Sequence, residues 1–161
     1  MQKETYFSCH GDKLDKYGNI KIGIQSYIKE AIEKFGVDVS RGVTSPATSR
    51  SFDVTEGVEK LLEEKYATFH STLEKLLWIM KRSRPEIETA ISLIYTRVKD
   101  PNIHDWGKLR RVLQFLSQTI GEDCVIGYEN IYEVLTYVDA SYATHDDMRG
   151  HTGGCVTFGW G

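Results

Sequence analysis

The chain has 161 residues, close to the ~150 of one average domain. Its 40% apolar and 27% charged residues are an ordinary globular composition, which excludes a collagen, a coiled coil or a disordered chain. No apolar run approaches the ~20 residues that span a bilayer, and the N-terminus lacks the apolar core of a signal peptide. We therefore expect an intracellular protein, cytoplasmic or nuclear, with no membrane partner. The net charge of −3 argues against a wholly basic nucleic-acid binder but allows a local basic face.

A β-hairpin followed by a helix is predicted for the first segment. Gly18-Asn19 is a turn signal, and the isoleucines that alternate with other residues over 20–24 predict a half-buried strand. Ser26 is expected to cap the next helix, and Gly36 to end it. The apolar face of this helix comprises Tyr27, Ile28, Ala31, Ile32 and Phe35.

A loop is predicted over 40–51, which is rich in Ser, Thr and Gly and contains Pro46. It is the best candidate for a domain boundary in the chain.

Three helices are predicted after this loop. The first has an apolar stripe from Leu61 to Met80, and the second begins at Pro85, a favourable first-turn residue. The third is expected to be capped by Asn102 and to end at Gly121. Because the connections are short, the three helices are expected to pack as an antiparallel bundle.

The hydrophobic period changes to two from residue 122 onward, which predicts strands over 124–126, 133–139 and 154–158. The fold class is therefore α+β. A two- or three-stranded sheet is marginal by itself, so we expect further protein to follow the last strand in the intact molecule. The exposed strand edges would favour self-association.

Basic residues are concentrated in the predicted helices. Arginine and lysine side chains near helix ends can hold phosphates, which makes a nucleic-acid backbone a candidate partner. The alternative is a solvated helix face. The residues expected to contact phosphate are Lys81, Arg82, Arg84, Arg110 and Arg111.

Asp139 ends an otherwise apolar strand and precedes small residues. A carboxylate at such a strand end can bind Mg²⁺, which prefers oxygen ligands. Asp146 and Asp147 are near in sequence, but they lie in a predicted turn, and convergence with Asp139 does not follow. The alternative is that Asp139 begins a turn by accepting a hydrogen bond from its own backbone.

The order of these features resembles the Ty1/copia-type retrotransposon polyproteins, in the region after the polymerase active site. The resemblance rests on Leu-Leu-Trp-Ile-Met-Lys-Arg-Ser-Arg-Pro-Glu-Ile from Leu76, Asp-Pro-Asn-Ile-His-Asp-Trp from Asp100, and Leu-Arg-Arg-Val-Leu-Gln-Phe-Leu from Leu109. Tyr-Val-Asp-Ala-Ser-Tyr-Ala from Tyr137 and the His-Thr-Gly-Gly that begins at His151 are similar to the opening of the family's ribonuclease H domain.

The resemblance implies a reverse transcriptase (RNA-directed DNA polymerase) and RNase H protein, found in virus-like particles when intact. Residues 1–45 would be the tail of the palm, 46–55 a linker, 56–121 a thumb-like helical domain, and 122–161 the connection and first hairpin of a truncated RNase H-like fold. The family's polymerase aspartates precede this stretch. The implied partner is an RNA/DNA template–primer or hybrid.

The resemblance also implies that Asp139 is the first magnesium ligand of the RNase H site and that the remaining acidic ligands follow residue 161. Mg²⁺ would serve the intact protein, and we do not expect this chain to bind it tightly. We therefore expect the chain to be catalytically incomplete alone. Two other interpretations are a non-catalytic module that binds nucleic acid, and an α+β domain used for protein contact.

Overall fold

The computed structural model describes residues 13–14, 18–53, 57–127, 132–142 and 150–158. Within these ranges it contains four α-helices and two small antiparallel sheets, which confirms the α+β class. The chain divides into two compact units. We call Gly23–Asp123 the helical unit, and Met1–Ile22 together with Cys124–Gly161 the strand unit.

The helical unit is built from α1 (Gln25–Phe35), α2 (Glu63–Arg82), α3 (Glu88–Thr96) and α4 (Ile103–Gln118). Short 3₁₀ turns occur at Ser49–Phe52 and Pro85–Ile87. The core lies among the four helices, whose fully buried side chains remove apolar surface from water. These side chains include Ile28, Ala31, Phe69, Leu73, Leu76, Ile79, Ile91, Leu109, Val112, Leu113 and Leu116.

Helix α1 packs against α2 and α4 through its aromatic residues. The rings of Phe35 and Trp106 are stacked with centroids 4.2 Å apart, and the rings of Tyr27 and Trp78 are 4.7 Å apart. The helix predicted as part of a palm tail is therefore packed in the same unit as the predicted thumb-like helices. The domain limits drawn from the resemblance stay predictions.

The predicted cap of α4 is confirmed. The side-chain oxygen of Asn102 accepts hydrogen bonds from the backbone N–H groups of His104 (2.9 Å) and Asp105 (3.1 Å). Asp105 in turn accepts from the Asn102 N–H at 3.1 Å, which completes a capping box. The predicted end of α1 is also confirmed, because Gly36 adopts a left-handed φ of 69° that favours glycine.

Several predicted helix limits are wrong. Helix α1 begins at Gln25, before the predicted Ser26 cap, because Ile24 is buried and its carbonyl already accepts the first helical hydrogen bonds. Helix α2 begins only at Glu63, and Leu62 is 69% exposed. Pro85 begins a 3₁₀ turn before α3, and α4 ends at Gln118, before Gly121.

The strand unit contains two antiparallel sheets. In the first, β1 (Lys13–Leu14), β2 (Ile20–Ile22) and β3 (Cys124–Ile126) lie in that order, with Ile22 opposite Cys124. In the second, β4 (Leu135–Ser141) pairs with β5 (His151–Thr157). Both strands of this hairpin are shifted from the predicted 133–139 and 154–158. The predicted turn over 144–152 lies mostly outside the described residues.

Both faces of the β4–β5 hairpin carry exposed side chains. Tyr137 and Val138 are adjacent on β4 and therefore point to opposite faces, yet both are largely exposed, as is Val156 on β5. No fold beyond this hairpin is defined by the described residues, so the predicted RNase H-like fold stays a prediction. No helix among the described residues is long and apolar enough to cross a membrane.

Candidate nucleic-acid interface

Side-chain hydrogen bonds of Arg110 and Arg111 join helix α4 to the loop over residues 38–45, which we call the loop segment. The Arg110 Nε–H donates to the carbonyl oxygen of Asp38 at 3.1 Å. The Arg111 Nε–H donates to the carbonyl oxygen of Ser45 at 3.1 Å, and its Nη2 lies 3.4 Å from the Ser45 Oγ. These bonds fix the two guanidinium groups in place while leaving other N–H donors on each.

A cleft of about 460 Å³ lies between this loop segment and α4. None of its lining residues is acidic, and three of them are arginines. We call it the arginine cleft, and its walls are formed by Arg41, Gly42, Val43, Thr44, Arg110, Arg111 and Gln114. The structure therefore brings two of the predicted phosphate-binding residues together with a third arginine.

Asp38 is the carboxylate that the loop segment carries nearest to Arg110. Hydrogen bonds from Ser40 lower the pKa of Asp38, and the Arg110 charge lowers that pKa further. This carboxyl group is exposed and bonded to Ser40, and no ion pair within 4.0 Å joins Arg110 to an acidic side chain of the described residues.

Lys81 and Arg82 are exposed at the C-terminal end of α2. The Arg82 guanidinium lies 5.8 Å from the ring centroid of Trp78, a cation–π contact. Both positive charges stand where the helix dipole favours them. They do not line the arginine cleft, so they would form a separate contact with any phosphate.

Arg84 is buried, unlike its neighbours in the basic sequence run. Only 2% of its surface is exposed, and its Nη1 donates to the carbonyl oxygen of Thr119 at 2.9 Å. It also bonds the Thr119 hydroxyl and the Glu86 carboxylate. This guanidinium connects the end of α2 to the end of α4 and is not accessible to a nucleic-acid backbone. The predicted phosphate contact of Arg84 is therefore wrong.

Asp139 lies on β4 opposite Gly153 of β5, and its side chain is exposed. The described ranges contain no group of three or more His, Cys, Asp or Glu side chains that could hold a metal ion. Asp146 and Asp147 lie outside those ranges. Asp139 is thus a single carboxylate among the described residues, and its assignment as a Mg²⁺ ligand stays a prediction.

Sequence reasoning missed Arg41 and Gln114, which both line the cleft. The spacing in the sequence could have indicated Gln114, because residues three and four apart share a helix face. Gln114 follows Arg111 by three residues and Arg110 by four. Arg41 lies in a loop, where no periodicity indicates what a side chain faces.

The chain is similar to proteins of transposons. It is 24% identical over 142 residues to a Retrovirus-related Pol polyprotein from transposon TNT 1-94 of Nicotiana tabacum, a match covering 85% of this chain and 11% of that protein. It is 25% identical over 140 residues to a putative transposon Ty5-1 protein of Saccharomyces cerevisiae, covering 87% of this chain and 45% of the relative.

An uncharacterized mitochondrial protein of Arabidopsis thaliana is 29% identical over 76 residues, which cover 47% of this chain and 32% of that protein. No protein-family model matches the chain, and no solved structure matches it. The chain spans less than half the length of each of these relatives. The resemblance is confirmed at the level of transposon polyproteins: the chain is similar to them over most of its own length.

Proposed function

We propose that this chain is a segment of a Ty1/copia-type reverse transcriptase and RNase H polyprotein. Within it, the helical unit binds the phosphate backbone of an RNA/DNA template–primer or hybrid. The arginine cleft is the observation that supports this function best. It groups Arg41, Arg110 and Arg111 with no acidic lining residue, in a chain whose net charge is −3.

The way these arginines are held suits phosphate binding. A guanidinium presents N–H donors in a planar fork that matches phosphate oxygens. Because Arg110 and Arg111 are each fixed through Nε to a backbone carbonyl, less side-chain entropy is lost when the remaining donors bind a ligand. Lys81 and Arg82, exposed on α2, extend the basic surface of the same unit.

Catalysis belongs to the intact polyprotein in this proposal. Mg²⁺ would supply charge stabilisation at each active site there, and Asp139 would contribute one carboxylate to the RNase H site. The sequence contains Tyr137-Val138-Asp139-Ala140 but no Tyr-x-Asp-Asp, so it lacks the paired aspartates of polymerase chemistry. This chain incubated with an RNA–DNA hybrid and Mg²⁺ is expected to cut nothing, and cleavage that is lost in Asp139→Asn would contradict this.

The binding function is tested with the double variant Arg110→Ala, Arg111→Ala and a fluorescent RNA–DNA hybrid. Charge-assisted hydrogen bonds contribute ~1.5–3 kcal/mol each, so we expect the affinity measured by fluorescence anisotropy to fall roughly tenfold or more. Circular dichroism of the variant shows whether the helices persist.

The matched control is Lys29→Ala, Lys34→Ala, which removes the same charge from exposed positions of α1. This control is expected to bind nearly as the parent does. Equal affinity loss in both double variants would show that only the net charge matters, and no measurable binding by the parent chain would refute the proposal.

A second candidate function is protein contact through the β4–β5 hairpin. The observation that favours it is the exposure of Tyr137, Val138 and Val156 on this hairpin, since apolar strands with open faces tend to associate. Sedimentation velocity tests it: a concentration-dependent dimer that is weakened by Val138→Lys supports self-association, and a strict monomer contradicts it.

A further inference from the structure

Gln114 is a largely buried residue whose side-chain amide has no hydrogen bond to the described residues. It is 7% exposed, lies in the wall of the arginine cleft, and its side chain bonds to none of the described residues. Its amide atoms are nevertheless not sealed from solvent. Because the residue lines the cleft and its amide bonds to none of the described residues, the amide N–H is available to donate to a ligand there.

The arginines that line the cleft with Gln114 also have N–H donors that bond to none of the described residues. Arg110 uses Nε for the Asp38 carbonyl, and Arg111 uses Nε and Nη2 for Ser45. Each guanidinium carries five N–H donors, so most of those on Arg110 remain unpaired among the described residues. Arg41 is exposed and likewise has no hydrogen bond or ion pair within that part of the chain.

We infer that the arginine cleft is a binding site for a single phosphate group, held by Arg41, Arg110 and Arg111 and by the amide N–H of Gln114. This inference rests on the proposed function, because it names the group that the helical unit would hold at one point of a bound strand. Three guanidinium groups and a neutral donor suit phosphate better than a carboxylate, since phosphate has more acceptor oxygens for them to share.

The size of the cleft favours a phosphate that is part of a larger molecule. A volume of about 460 Å³ exceeds what one phosphate group fills and lies in the range of ligand pockets, ~300–1,000 Å³. The phosphate could come from a nucleic-acid strand or from a small phosphorylated compound. Inorganic phosphate, a 5′-phosphorylated oligonucleotide and its unphosphorylated form are therefore the three probes.

The sharpest variant is Gln114→Glu. It replaces the amide nitrogen by an oxygen of similar size, removes the donor, and places a carboxylate among the three arginines. Titration is followed by NMR of the Nε–Hε signals of Arg110 and Arg111. We expect saturable shifts with phosphate in the parent chain and affinity at least roughly tenfold lower in the variant, as expected for a hydrogen bond to a charged group.

Two further variants keep the test decisive. Gln25→Glu makes the same charge change at the exposed start of α1 and is expected to leave phosphate binding unchanged. Arg41→Ala removes an exposed side chain whose loss does not disturb packing, and it is expected to weaken binding several-fold even if Gln114→Glu does not fold.

The outcomes separate this inference from the proposed function. If phosphate causes no saturable shift, or if Gln114→Glu and Arg41→Ala bind as the parent does, the site is refuted even where the hybrid still binds. If phosphate binds in a Gln114-dependent manner but neither oligonucleotide nor hybrid does, the site stands for a small phosphorylated compound and the proposed function fails. Preference for the 5′-phosphorylated oligonucleotide supports both.

Discussion

Replacing Arg84 by methionine is expected to destabilise the chain strongly without removing a phosphate contact. The side chain is fully buried, and its guanidinium donates two hydrogen bonds to Thr119 and one to Glu86. Methionine keeps much of the apolar volume but removes the guanidinium donors from the part-buried Thr119, whose carbonyl oxygen keeps only the Glu122 N–H as a donor among the described residues.

The magnitude follows from these contacts. A hydrogen bond to a charged group contributes ~1.5–3 kcal/mol, and the two to Thr119 together give a loss of about 3 kcal/mol in the free energy of unfolding. The Glu86 bond adds little, because Glu86 is exposed and can be hydrated. For a urea m-value of ~1–3 kcal/mol/M, the unfolding midpoint falls by roughly 1–3 M.

The assay is urea unfolding followed by circular dichroism, with Arg82→Met as the matched control. Arg82 is exposed and its guanidinium lies over the Trp78 ring, so its replacement is expected to change the free energy of unfolding by less than ~1 kcal/mol. If Arg84→Met unfolds at the parent's midpoint but binds nucleic acid weakly, Arg84 is a phosphate ligand and our account of it is wrong.

Four further variants test local structure and the pH dependence of stability. Asn102→Ala removes the acceptor of two backbone N–H groups and is expected to cost about 1 kcal/mol in urea unfolding; an unchanged midpoint would contradict the capping box. Gly36→Ala is expected to destabilise by ~1 kcal/mol because of its left-handed φ alone, since an added Cβ meets nothing within 4 Å. Gly107→Ala, inside α4 and equally uncrowded, should stabilise by ~0.5–1 kcal/mol, and the same sign for both glycines would refute the backbone argument. The pKa of Asp38 is lowered from 3.8, mainly by hydrogen bonds from Ser40. The ionised carboxylate therefore stabilises the folded chain above pH 3.8, and this contribution is lost as the pH falls through the folded-state pKa. The difference in urea midpoint between the parent and Asp38→Asn is therefore expected at pH 6 and should shrink as the pH falls below 3.8, and a difference that does not change with pH would show another cause.

The helical unit could be predicted well because its signals are local. The apolar stripes of α2, α3 and α4 follow the helical period, and Asn102 with Asp105 and the terminal Gly36 mark helix limits through bonds made within a few residues. Errors occurred where burial overrode local preference. Ile24 continues an alternating strand pattern in the sequence, but its burial makes it the residue that begins α1.

The candidate site could be predicted only in part. A run of basic residues in the sequence shows their charge and spacing but not which side chains are buried. The sequence therefore could not distinguish the buried Arg84 from the exposed Arg82. The bond between Arg84 and Thr119 joins residues 35 positions apart, and the arginine cleft depends on the loop segment that Arg110 and Arg111 fasten to α4. Such contacts between distant parts of a chain leave no periodic signal in its sequence.

We propose that the helical unit binds nucleic acid through phosphate contacts at Arg110 and Arg111. The most direct test is the salt dependence of RNA–DNA hybrid binding by the parent chain and by Arg110→Ala, Arg111→Ala. Each lost phosphate contact is expected to reduce the slope of log K against log salt concentration by ~0.7–0.9. Because Arg110 and Arg111 share one phosphate group in our inference, the two slopes should differ by about that amount. Equal slopes, or binding by the parent chain that does not respond to salt, would contradict the account.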